Sequence, residues 1–372
     1  MGLNSTKRSN LELWKFLFVI AYIAYNFYLL NHANHPEINS MLFSGGKVLE
    51  FFFIIAGFSL MSFCVKNSKN DVSTWEYLKG LISRYYPALL GGVFLAFVVR
   101  NFVIDTSLVR IPSLLVGAIF ELLGLSQLGI ASYSGFSSNS MLQEYIVNGG
   151  ITPIWNEPLC YLSAFFIVSL IFYYIISKNR NLYENIIAPL VIVIGYSAMG
   201  MMSEFSLYST GIFGIPNAII RVATGMALGS LIYRFIDYLK SKEIDRKEKI
   251  GLTVLYFVFA IYFIVTTIIG IEWNEFINLV FIVPFAIILL LSRDGVSSIL
   301  KSRFFSYLGS LALYVFACHI AFCYLIPFLF PDRTYQFQFL IFLIITLIWG
   351  NIMLIFDKFV ITPLFRERKS AS

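Results

Sequence analysis

The chain alternates long apolar runs with short polar, mostly basic connections. Runs near 11–30, 44–65, 85–104, 159–177, 187–205, 212–233, 250–271, 275–292, 304–330 and 338–358 have the length of a bilayer-crossing helix, about 20 residues. Lipid offers no partner to a backbone N–H or C=O, so such runs are expected to be α-helical. An eleventh run, 111–125, contains Pro112 and Glu121 and is too short for a span. Within the first run, Glu12, Lys15, Val19, Tyr22 and Asn26 recur at three-four-three-four spacing and share one helical face. Four of the five are polar or charged. Ionisable groups inside a membrane helix are costly, so this face is expected to turn inward to a pathway or a site.

Charge decides the topology. With 111–125 not crossing and the N-terminus cytoplasmic, 21 of the 27 Lys and Arg residues fall on the inner side. Letting 111–125 cross inverts every later loop and destroys the bias. The reading is therefore an all-α polytopic bundle of ten spans with both termini inside and 111–125 interfacial or re-entrant. Its parts are a cytoplasmic tail at 1–10, a membrane domain at 11–358 and a second tail at 359–372. The first run is too long for a signal peptide and no small-residue cleavage site follows, so it is expected to be retained. A polar stretch at 126–158, rich in Ser, Gly and Asn, lies outside and is long enough to be functional.

Composition sharpens this picture. Of 372 residues, 58% are hydrophobic and only 13% charged, against roughly 25% charged in soluble domains. With a mean hydropathy of +0.78, most of the surface must face lipid. The net charge of +6 sits in loops between apolar runs, which argues against nucleic-acid binding. The four cysteines lie in or beside apolar runs and suggest no disulfide framework and no zinc site. No P-loop, GxGxxG, HExxH or GxSxG motif is present.

Six stretches resemble the acyltransferase-3 family of integral membrane acyltransferases. Leu11–Phe18 (LELWKFLF) is similar to the family's LELLRFLF, and Glu50–Phe58 (EFFFIIAGF) to its FFFxxSGF. Tyr77–Pro87 resembles FLKRRxxRIYP, Asn156–Ala164 resembles NxPxWYLSA, and Arg221–Gly229 resembles an Arg-to-GxxxG span. Tyr307–His319 is similar to YLGxxSYxIYLxH. The resemblance implies transfer of an acyl group, usually acetyl, from cytoplasmic acyl-CoA to a hydroxyl of a cell-surface or lipid-linked glycan. It implies no permanently bound cofactor, with acetyl-CoA as donor substrate, and residence in a bacterial cytoplasmic membrane. The partners are then membrane lipid and a glycan, with no nucleic acid. The family's first-span Arg and His are replaced by Lys15 and Asn26, its paired arginines before IYP by Gly80 and Leu81, and its motif Trp by Cys160. His319 is retained.

Acyl transfer to a hydroxyl needs a base, donors for the developing oxyanion and cations for the coenzyme phosphates. His319 is the candidate base, since imidazole titrates near neutrality. Asn26 cannot titrate but can donate to an oxyanion or position a nucleophile. Lys15 keeps the positive charge without the planar fork of Arg. Eleven residues separate Lys15 from Asn26, about 16 Å along a helix, enough to join a donor end to a mid-membrane acceptor end. Glu157 is a candidate acid, and Glu12, Tyr22, Lys79, Arg84, Tyr161 and Arg221 are candidate binding residues.

Blander readings stand beside these. Glu12 and Lys15 are spaced to pair with each other, and Tyr22 and Asn26 to bridge spans. Lys79 and Arg84 fit ordinary inner-face charge. Arg221 needs an acid or a phosphate. His32 and His35, in the outer loop, are weaker candidate bases. Two rival functions remain: a catalytically degenerate relative acting as a glycan-binding or scaffold protein, and a transporter of lipid-linked sugars. The latter expects repeated halves with broken helices, and none is visible.

Overall fold

The computed structural model describes residues 9–31, 46–68, 72–99, 102–103, 115, 118–119, 121–123, 159–201, 215–269 and 275–363. These form helices without a strand: α1 (Ser9–Asn31), α2 (Gly46–Lys66), α3 (Thr74–Val99) and α4 (Leu159–Lys178). Next comes α5, built from Arg180–Leu182, a π-helical turn Tyr183–Ile187 and Ala188–Met201. There follow α6 (Asn217–Ser241), α7 (Arg246–Ile269), α8 (Glu275–Leu291), the short α9 (Gly295–Ile299), α10 (Arg303–Leu329) and α11 (Tyr335–Phe356), which runs into a π-helical turn Asp357–Ile361. Among the described residues nine helices are long and apolar enough to cross a membrane, and α8 is a shorter apolar tenth. The all-α polytopic bundle expected from the sequence is the fold observed. Large apolar side chains such as Phe94, Val193, Ile194 and Phe257 remain exposed, as lipid-facing residues must.

Boundaries shift where polar residues join a helix. The third span, expected at 85–104, begins at Thr74. Ser73 and Glu76 form a reciprocal capping box, the Ser73 N–H donating to Glu76 Oε2 (3.0 Å) and the Glu76 N–H to Ser73 Oγ (3.2 Å). Buried Tyr77 and Leu81 then anchor the added turns, Tyr77 stacking on Tyr173 at 4.2 Å. A second capping box, Asp245 with Glu248, opens α7. Arg293 donates to the carbonyls of Leu239, Lys240 and Lys242, closing the C-terminal end of α6.

Ring contacts give the relative direction of α3 and α4. Tyr77 meets Tyr173 and Tyr85 meets Phe165, so α3 and α4 are antiparallel neighbours. The end of α3 and the start of α4 therefore lie at one face. Leu115, Ile119 and Leu123 are exposed at four-residue spacing, while Ala118 and Glu121 are buried, as expected of a helix lying on the bundle. Neither carboxylate oxygen of Glu121 has a hydrogen-bond partner among the described residues, and burial drives its carboxyl well above the ordinary carboxylate range. The rest of 111–125, and the polar stretch 126–158, lie outside the described residues.

Two apolar clusters fill the bundle, and α1 stands between them. Leu11, Trp14, Phe18 and Tyr22 belong to the cluster formed with α2 and α4 to α8. Val19, Ile23 and Phe27 belong to the one formed with α3, α10 and α11. Two helix pairs run parallel in close packing, α1 with α10 and α2 with α6. In the second pair a Cβ at Gly57 would fall 1.9 Å from Met226 O, and one at Gly229 would fall 2.0 Å from Ile54 O. Only glycine permits that approach, the small-residue packing typical of membrane helices.

Candidate functional site

The polar stripe of α1 turns inward, as its spacing predicts. Leu17 and Leu29 are exposed on the far side, while Tyr22 is buried and Glu12, Lys15 and Asn26 are half-buried. The partner along this stripe is α10. At the end that charge places inside, Gly309 faces Glu12 so closely that a Cβ would fall 2.9 Å from Glu12 Cα. One helix-length outward, Asn31 Nδ2 donates to the carbonyls of Phe27 (2.9 Å) and Cys323 (3.2 Å).

Between these contacts Asn26 Nδ2 lies 3.0 Å from His319 Nε2. His319 is fully buried. Its Nδ1 lies 2.7 Å from the carbonyl oxygen of Phe316, which can only accept, so Nδ1 carries the proton. In the neutral ring Nε2 is then the acceptor, and Asn26 is the donor. The ring is boxed by Tyr22, edge-on at 5.8 Å, and Phe316 at 6.0 Å. A buried imidazole with a fixed tautomer is the group on this face best suited to proton transfer.

The remaining candidates are placed as follows. Lys15 Nζ pairs with Glu12 Oε2 at 2.6 Å, about three turns from Asn26 on the same stripe. Lys79 and Arg84 are exposed on the first turns of α3 rather than in a loop, Lys79 over the Trp75 ring at 5.3 Å and Arg84 over Tyr85 at 5.6 Å. They are not brought to His319. Tyr161 is buried on α4 with its ring 5.6 Å from Phe53. Glu157, His32 and His35 lie outside the described residues.

Arg221 finds an acid: its Nε donates to Glu50 Oε1 at 2.6 Å, both side chains buried. Gly225, one turn along α6, leaves room for this carboxylate, since a Cβ there would fall 3.3 Å from Glu50 Oε2. Glu50 was the missing partner, and its signal was present in the sequence: an acid inside the apolar run 44–65 needs a cation just as Arg221 needs an anion.

At the inner end of α1 a second polar chain is structural. Trp14 Nε1 donates to Tyr256 Oη (2.8 Å), Tyr256 Oη to Asn10 Oδ1 (3.1 Å), Asn10 Nδ2 to Ser297 Oγ (3.0 Å) and Ser297 Oγ to Asp294 Oδ2 (2.6 Å). It ties α1 to α7 and α9 beneath the candidate site. No group of three His, Cys, Asp or Glu gathers among the described residues.

Neither the curated proteins nor the solved structures give a match to this chain. A family model described as an acyltransferase domain matches residues 8–354. That span runs from the first turn of α1 to the end of α11 and includes both helices of the Asn26–His319 pair. With nearly its whole length accounted for, the chain belongs to the acyltransferase-3 family and is an integral membrane protein of the acyltransferase type.

Proposed function

We propose that this protein transfers an acyl group, acetyl being the usual cargo in the family it belongs to, from acyl-CoA at the cytoplasmic face to a hydroxyl of a cell-surface or lipid-linked glycan. The observation that carries this reading is the Asn26–His319 pair, 3.0 Å apart within the bundle. The acceptor oxygen attacks the thioester carbonyl while His319 Nε2 takes the hydroxyl proton. The C–S bond then breaks, and the departing thiolate receives that proton from the imidazolium. Asn26 is the nearest amide donor for the oxyanion. Lys15 lies toward the donor end, with Lys79 and Arg84 exposed to coenzyme phosphates. The membrane in question is a bacterial cytoplasmic membrane, and no permanently bound cofactor is required.

The test is His319→Ala in the native host, followed by mass analysis of surface glycans. Loss of acyl groups at unchanged protein level is the expected result. Unchanged acylation removes His319 from the chemistry. A second reading, a degenerate relative that binds a glycan without modifying it, is favoured by two particulars: Asn26 replaces the family's first-span His, and Lys15 is engaged by Glu12. Under that reading His319→Ala leaves the glycan mass unchanged while deletion of the gene still alters the surface.

A further inference from the structure

We infer that Asn26 is a gate on the base of this site: its amide occupies the basic nitrogen of His319 at rest and gives it up only to a bound acceptor hydroxyl. The inference rests on the acyl-transfer reading and deepens it.

Three observations and one chemical rule lead to it. His319 Nδ1 is committed to the Phe316 carbonyl at 2.7 Å, so a single lone pair remains on the neutral ring, at Nε2. That lone pair faces Asn26 Nδ2 at 3.0 Å. A nitrogen already accepting an N–H cannot remove a proton from another molecule. Finally, the ring is fully buried whereas Asn26 is half-buried on the α1 face beside it. A substrate reaching the ring from the Asn26 side meets the amide first.

An amide side chain carries a donor and an acceptor at its two ends, and a half-turn about Cβ–Cγ exchanges them. With Nδ2 swung away, Nε2 accepts the proton of the acceptor hydroxyl, and that oxygen forms the new C–O bond. The Nε2–H of the resulting imidazolium then faces Asn26 Oδ1, an acceptor. The freed Nδ2 is available to the oxyanion. When the C–S bond breaks, the thiolate takes the Nε2 proton, the ring is neutral again and Nδ2 returns. Turning the amide early would set Oδ1 against a bare lone pair, so the exchange is favourable only when a proton arrives at Nε2. An acceptor gripped elsewhere supplies binding energy for it; a lone water does not. The gate therefore suppresses hydrolysis of the thioester.

The test uses the full chain in lipid nanodiscs with radiolabelled acetyl-CoA. Hydrolysis is read without acceptor as free thiol, and transfer as label incorporated into a glycan extract of the host membrane. Asn26→Ala removes the gate and is expected to raise the ratio of hydrolysis to transfer by about tenfold or more, the scale of one lost hydrogen bond. An unchanged ratio overturns the gate, whatever happens to the absolute rates. A second measurement does not depend on turnover. Nitrogen-15 spectra of histidine-labelled protein contain three side chains, His32, His35 and His319. At neutral pH the His319 signals are expected to show a protonated Nδ1 and a hydrogen-bonded, unprotonated Nε2 that becomes unbonded in Asn26→Leu. A protonated Nε2 in the resting protein overturns the gate. If the spectra show the bonded Nε2 and no glycan is ever labelled, the gate geometry stands and the acyl-transfer reading falls. Labelling with an unbonded Nε2 has the opposite meaning.

Discussion

Replacing Gly229 with alanine tests the parallel joint of α2 and α6. The added Cβ would fall 2.0 Å from Ile54 O and 2.9 Å from Phe58 N, both backbone atoms that no rotamer change can clear. Carbon and oxygen in close contact sit at about 3.3 Å, so the two helices must part by about 1.3 Å. The displaced joint also holds the 2.6 Å Arg221–Glu50 pair and the 3.3 Å bond from Ser230 Oγ to Gly57 O. Overpacking of this kind costs about 1–3 kcal/mol. Alanine offsets up to about 1 kcal/mol of that through its better helix propensity. Net destabilisation of roughly 1–2 kcal/mol is expected. Gly251→Ala on α7 is the control: a Cβ there meets nothing within 4 Å, so the propensity gain of about 0.5–1 kcal/mol is uncompensated. Thermal unfolding of both variants in detergent, followed by tryptophan fluorescence, should lower the midpoint for Gly229→Ala and raise it for Gly251→Ala. If the Gly229 variant unfolds at or above the Gly251 variant, the close approach of α2 and α6 is wrong.

The buried ion pair and the buried acid yield two further expectations. Arg221→Met removes the cation paired with Glu50 and should destabilise by about 3–5 kcal/mol, while Arg221→Met with Glu50→Gln should recover most of that loss; a double-mutant cycle in detergent unfolding measures the difference, and additive losses would refute the pairing. Glu121 titrates from 4.5 when exposed to well above that when folded, so stability is greatest below about 4.5 and declines as pH rises toward the folded value. Glu121→Gln should remove that slope, at most about 1.4 kcal/mol per pH unit, and be the more stable form at neutral pH; parallel melting curves between pH 4 and 8 would count against the buried acid.

What the sequence disclosed follows from the physics of each signal. Spans announce themselves because lipid demands long apolar runs, and the charge of the connections gives the expected sides because basic loops resist translocation. The antiparallel contact of Tyr85 with Phe165 puts the end of α3 and the start of α4 at one face. The start of α3 was hidden because Glu76, Lys79 and Arg84 interrupt hydropathy without interrupting the helix; the Ser73–Glu76 spacing was the better guide. Likewise α5 begins at Arg180, where Asn179 caps it, rather than at 187. The inward face of α1 was legible from spacing alone, but its partner was not. Asn26 and His319 are 293 residues apart, and only the parallel packing of α1 on α10 joins them. Glu50 and Arg221 escaped for the same reason, although each separately called for an opposite charge.

The depth of His319 also acts as a ruler. It stands sixteen residues into α10 and ten before its end, about 24 Å and 15 Å along the axis at 1.5 Å per residue. Under the proposed acyl transfer, phosphates held at the inner rim, near Lys15 or Arg84, would be many ångströms from the imidazole. A donor whose reactive carbonyl hangs on a long slender arm can bridge that gap, whereas acetyl phosphate or another stubby activated acid leaves its carbonyl stranded at the mouth. Selection among activated acyl compounds would then be made by reach before any contact with the acyl group itself.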